Sequence, residues 1–108
     1  MKIKIYFSYE ECGNDMRSYD AFVRITCPSL PLCNFIQRRL VSKDLGLVVD
    51  NDKVNVTGII MISHNVIKGL QNLWEEAIHL NVLSLIDLYN LNHETEMSLY
   101  KEITVKDI

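Results

Sequence analysis

Glycine-rich loops, paired cysteines, long apolar runs and a surplus of positive charge are all missing from this chain. Its four glycines, at positions 13, 46, 58 and 69, are scattered, so no glycine-rich cradle for a phosphate exists. The three cysteines, Cys12, Cys27 and Cys33, cannot all pair within one chain and form no C-x-x-C. They read as reduced thiols of a cytosolic (cytoplasmic) protein. No apolar run reaches the ~18 residues needed to span a membrane. Lys2 and Lys4 alternate with apolar residues, which is the pattern of a strand and not of a signal peptide. The net charge of −3 disfavours a general nucleic-acid binder, because neutralising phosphates takes an excess of Lys and Arg.

Catalytic constellations are equally scarce. His64, His79 and His93 stand at no zinc-ligand spacing. Glu76-x-x-His79 is half of a di-iron pattern, and without a second copy it reads as a solvated helix face. Cys33 falls near the expected start of a helix, where the helix dipole would lower its pKa, but no histidine lies near it in sequence. No serine stands in a nucleophile-elbow setting. The reading is therefore of a non-enzymatic protein with no cofactor and no metal.

What the chain does hold is a clear apolar pattern. At 108 residues and 48% apolar it is expected to form one domain over 1–108, with a core that needs no staples and a loose tail over 104–108. Residues 54–62 alternate, with Val54, Val56, Ile60 and Ile62 on one face. Gly58 among them marks a bulge or a close backbone approach. Ser63 then fits as a helix N-cap. After it Val66, Ile67, Leu70, Leu73, Trp74, Ala77 and Ile78 recur at the helical period. On this reading Leu70→Asp unfolds the domain and Gln71→Asp changes little. Gly69 sits inside the helix, tolerated or allowing a close crossing.

Around this unit the other elements follow in order. Ile3, Ile5, Phe7 and Tyr9 alternate with Lys2, Lys4, Tyr6 and Ser8 on a first strand. Tyr19, Ala21, Val23, Ile25 and Cys27 form the core side of a second, pairing antiparallel with the first. Pro28 to Pro31 stops that strand and starts a helix through Leu32, Phe35, Ile36 and Leu40, over by Gly46. Leu45, Leu47 and Val49 alternate on a third strand, and Asp50-Asn51-Asp52-Lys53 reads as a hairpin turn. Residues 82–90 fit either a buried strand or a second helix, with the length favouring a strand. Residues 92–103 read as a short helix capped by Asn92. The fold class is α+β: a mostly antiparallel sheet of four to five strands with two to three helices on one face. The order is that of a ferredoxin-like fold with an extra N-terminal strand.

Two surfaces stand out as places for a partner. Acidic groups gather at Glu10, Glu11, Asp15 and Asp20 in or beside the first loop, at Asp50 and Asp52 on the hairpin, and at Glu75 and Glu76 on the outer side of the central helix. Converging, they would steer a basic protein partner. Lys2, Lys4, Tyr6, Phe22 and Arg24 share the outer face of the first two strands. Such a face can stack bases, but two aromatics on an acidic chain suit a protein contact or a homodimer equally well.

Phe22-Val23-Arg24-Ile25-Thr26-Cys27-Pro28-Ser29-Leu30 resembles the second strand and helix start of a family of small bacterial immunity proteins that accompany polymorphic toxins. The Leu47-Val48-Val49 strand and the helix bearing Trp74-Glu75-Glu76-Ala77 are similar to that family's second half. The likeness spans residues 19–80 loosely, and no functional residue carries over. It implies an inhibitor that neutralises a cognate toxin, a basic domain, by occluding it. A phage or mobile-element protein that blocks a host defence protein shares the same physics. A small ferredoxin-like enzyme or ligand-binding domain is the remaining alternative, and it requires a pocket holding Cys33 or His79.

Overall fold

The structure, a computed structural model, describes residues 2–12, 18–43, 46–52 and 54–101. Asp15, Leu45, Lys53 and the 104–108 tail lie outside them. Strand β1 (Lys2–Cys12) and strand β2 (Ser18–Thr26) pair antiparallel in unbroken register from Lys4↔Thr26 to Cys12↔Ser18. Helix α1 (Leu30–Ser42) follows, then β3 (Val48–Asp52), β4 (Asn55–Ser63), helix α2 (His64–His93) and β5 (Ser98–Lys101). The sheet order is β3-β4-β2-β1-β5. Every pairing is antiparallel except β1 with β5, which is parallel. The chain is thus α+β, a five-stranded mixed sheet with two helices. From β2 onward it keeps the ferredoxin-like order, with β1 inserted between β2 and β5.

Alternation decides which face the helices cover. Ile3, Ile5, Phe7, Tyr9, Ala21, Val23, Ile25 and Val56 all point to one side and are buried. Leu32, Cys33, Ile36 and Leu40 of α1 close over them together with Ile67, Ile78, Val82, Leu85, Ile86 and Tyr89 of α2. Both helices start on serine caps, since Ser29 accepts from the Leu32 amide and Ser63 from the Val66 amide, each at 3.4 Å. Gly46 takes a left-handed backbone (φ 74°) between α1 and β3, and a Cβ there would lie 2.9 Å from Ile60 Cδ1. Gly58 makes no bulge: it pairs in register with Val23 and Val49. A side chain there would press on Val23 and Leu47.

Several expectations are corrected. Residues 82–90 are not a strand: α2 runs on to His93. Asn81 stays helical and donates its amide to the Ala77 carbonyl at 2.8 Å. The helix expected over 92–103 is not formed: residues 92 and 93 are the end of α2 and residues 94–101 are not helical. Glu94 ends α2 in the left-handed region (φ 55°). Asn90 then holds the turn, accepting from Thr95 Oγ1 (2.9 Å) and the Met97 amide (3.0 Å) and donating to the Met97 carbonyl (3.0 Å). This turn delivers β5 to the free edge of β1. Asp50, Asn51 and Asp52 are strand and not turn, paired with Thr57, Val56 and Asn55. Asn51 faces inward, where Cys33 Sγ donates to it and its amide donates to Asn34 Oδ1 at 2.7 Å.

The inward stripe of α2 is also not the one expected. Val66, Leu70 and Leu73 are 49%, 48% and 63% exposed, whereas Ile67 and Ile78 are buried. Gln71 is half-buried and donates to Glu75. The expected ranking of Leu70→Asp and Gln71→Asp is therefore overturned. Ile78→Asp, which buries an unpaired charge, is predicted to destabilise by on the order of 4 kcal/mol or more. Leu70→Asp should stay within about 1 kcal/mol of the parent. Urea unfolding of the two variants beside the parent checks this.

Candidate binding face

With both helices on one side of the sheet, the even-numbered residues of β1 and β2 face away from them. Register sorts this open face into cross-strand rows. One row carries Lys4, Thr26, Asn55 and Asp52, with Tyr100 on the β5 side. The next carries Tyr6, Arg24, Thr57 and Asp50, and then come Ser8, Phe22, Ile59 and Val48. Glu10, Asp20 and Met61 form the row after that. The Phe22 row is apolar, and the exposed Met61 and Val48 extend it. Tyr6, Ser8, Glu10, Asp20, Phe22, Arg24 and Ile59 line an open hollow of about 320 Å³. The Arg24 guanidinium lies over the Tyr6 ring, 4.6 Å from its centroid, and Lys2 over Tyr100 at 5.6 Å. Glu10 stands directly opposite Asp20, a like-charge pair that is unfavourable on a sheet.

The acidic residues singled out from sequence do not form one patch. Glu10, Asp50 and Asp52 do share the open face, but β1 and β3 are separated by β2 and β4, about 14 Å at the usual strand spacing. Glu11 is exposed at the other side of β1, and Asp50 accepts from the Asn51 amide at 2.8 Å. Glu76 is exposed on α2, in the layer behind the sheet. Asp15 lies outside the described residues. Glu75 is the clear correction: it is 3% exposed, in the core and not on the outer face of α2. Phe22 and Ile59, which the acidic reading left out, line the hollow together with Asp20, and Met61 lies beside Asp20 on the same face. Their signal was the alternation of β2 and β4, which puts all four on the same side.

Behind the sheet, Glu75 accepts from the Tyr9 hydroxyl at 2.5 Å and from Gln71 Nε2 at 3.2 Å. Trp74 packs edge-on to Phe7 and Tyr9. Burial, the bond to Glu75 and its charge push the Tyr9 hydroxyl well above the usual tyrosine range. The cysteines behave in the same direction. Burial, with Cys33 close by, pushes the Cys27 thiol up to about 12. Burial and then the Asp52 charge raise Cys33, against a bond with Cys27 that lowers it. The helix-terminus effect expected to activate Cys33 is thus outweighed by desolvation. His79 Nδ1 is buried with no hydrogen-bond partner. His93 stacks on Tyr89 and reaches the Tyr89 carbonyl at 3.0 Å. Among the described residues no group of three or more His, Cys, Asp and Glu is placed to hold a metal ion. No described helix is long and apolar enough to cross a membrane. No family model, curated protein or solved structure matches the chain.

The raised groups set an alkaline limit. A hydroxyl or thiol whose pKa rises on folding binds its proton more tightly in the folded state. The stability it contributes is full below its unfolded pKa and is lost as pH climbs past that value. Stability is predicted to fall from about pH 9, the ordinary thiol value, towards about 12, with Tyr9 adding to the loss above 10. Tyr9→Phe, which removes one donor to buried Glu75, should cost about 1–3 kcal/mol at neutral pH and flatten the decline above pH 10. Chemical denaturation between pH 7 and pH 11 reads both effects.

Proposed function

We propose that this chain is a non-enzymatic binding protein of the immunity or inhibitor kind, which holds a protein partner against the open face of its sheet. The observation that carries the reading is the apolar row of Phe22, Ile59 and Val48. It runs between charged rows on a face that neither helix covers. Aromatic, Met and Arg side chains are the types enriched in protein interfaces, and Tyr6, Phe22, Met61 and Arg24 supply them. The opposed Glu10 and Asp20 favour a partner that brings a cation to that end, since a Lys or Arg between them relieves their repulsion. A basic toxin domain has that chemistry. A phage or mobile-element inhibitor would use the same face on a different target.

The enzymatic alternative finds less support. The hollow is lined by neither Cys nor His. The described thiols are buried, with raised pKa values that leave little thiolate near neutral pH.

Co-expression with the toxin encoded beside its gene tests the reading. Phe22→Ala and Asp20→Lys should each weaken toxin binding by about 30-fold or more, the scale of an interface hot spot, and should lose protection without altering the far-UV circular dichroism. Glu76→Lys, behind the sheet, should protect like the parent. Full protection by both sheet-face variants would rule out this face as the inhibitory surface.

A further inference from the structure

Strand β3 stands at one end of the sheet order, and no described strand pairs with its outer edge. In an antiparallel pair every second residue turns its N–H and C=O away from the neighbouring strand. Asn51 is such a residue, since its amide donates to the Asp50 carboxylate at 2.8 Å. Val49, two positions back, shares its direction. Helix α1 flanks this edge. Asn34 accepts from Asn51 Nδ2, which fixes the side of α1 that faces β3. Leu30, Gln37 and Val41 stand with Asn34 on that side at steps of four, three and four, while Phe35 packs against Tyr89 on the other. Leu30 and Val41 stay 53% and 55% exposed, and Val48 on the edge strand 78%.

We propose that the β3 edge and the α1 flank form a docking groove for an extended basic segment of a partner protein, which joins the sheet antiparallel to β3. The segment pairs through its backbone with Val49 and Asn51, as strands added to a sheet edge do. The two walls agree in length. The five residues of β3 extend about 16 Å, and the flank from Leu30 to Val41 rises about 16 Å.

Alternation sets the chemistry of the segment. Side chains opposite Val49 and Asn51 turn to the helix side, where Val41 and Leu30 stand, so apolar strand formers suit them. Side chains opposite Val48, Asp50 and Asp52 turn to the open face. An apolar one beside Val48 continues the row of Phe22, Ile59 and Val48, and Lys or Arg beside Asp50 and Asp52 places opposite charges at directly paired positions. Charge also counts against a second copy as the occupant, because β3 laid in full antiparallel overlap on itself sets Asp50 against Asp50. A segment reading Lys-Val-Lys-Val-Val satisfies both sides of the groove. The groove lies beyond the hollow of the open face, and the inference stands whatever that face binds.

The test is a titration of the isotope-labelled full chain with the peptide acetyl-Gly-Lys-Val-Lys-Val-Val-Gly-amide, followed by amide chemical shifts. The Val48–Asp52 amides should shift with a dissociation constant below about 1 mM, and solvent exchange of the Val49 and Asn51 amides should slow. A peptide with Glu for both Lys should bind at least about tenfold more weakly, and the double variant Asp50→Lys, Asp52→Lys should reverse that preference. N-methylation of the peptide's two Val residues that face the helix side should abolish binding, because their amides point at β3, whereas N-methylation of its Lys residues should not. Val41→Asp, at an exposed helix position, should melt as the parent does and weaken binding about tenfold. The inference is overturned by unshifted Val48–Asp52 amides at about 1 mM peptide, by equal binding of the Glu peptide, or by binding that survives methylation of those two Val amides. The bound peptide lies three strand spacings from Phe22, so its failure to bind leaves the open-face reading intact.

Discussion

The pairing of β1 with β2 is the constraint on which the rest of the molecule depends. The two strands run together without a bulge from Lys4↔Thr26 to Cys12↔Ser18, and their apolar residues fall on one side throughout. Slipping this register by one residue would turn the apolar set of one strand, Ile5 and Phe7 or else Val23 and Ile25, to solvent and its charged residues to the core, so the register has little freedom. Both neighbours build on it. β4 extends the sheet from β2, and β5 takes the edge of β1. The helices can then lie on one face only, and the other is left uncovered by either helix.

The same constraint explains why the charged groups contribute so differently. On the open face, Glu10, Asp20 and Arg24 keep contact with water, and their arrangement bears on association more than on stability. On the covered face the carboxylate of Glu75 is buried, and it is met by Tyr9 and Gln71. Its neighbour Glu76 remains in solvent one position further along the helix. The two thiols at the β2–α1 corner are similarly enclosed, Cys33 donating to Asn51 on the edge strand. There Cys33 ties the start of α1 to β3.

Helix α2 has to satisfy two environments along its length. Its buried side meets the sheet and α1, where Phe35 packs edge-on against Tyr89 and His93. Its opposite side is rich in leucine although solvent surrounds it. An apolar stripe at heptad spacing is costly to leave bare but stabilising once a second helix covers it.

The sequence by itself determined the three long strands and the start of each helix. Alternation made β1, β2 and β4 legible, Ser63 marked the start of α2 and the Pro28 to Pro31 stretch that of α1, and Tyr6, Phe22 and Arg24 were readable as one outer face. Tertiary structure decided what local periodicity leaves degenerate. Leu70 and Leu73 recur at the helical period as well as Ile78 and Val82 do, so only packing against the sheet selects the buried stripe and carries Glu75 inside. Residues 82–90 are apolar enough for strand or helix, and their continuity with α2 makes them helix. Residues 98–101 are strand because the free backbone groups of β1 lie beside them, a partner nearly a hundred positions away that no local window contains.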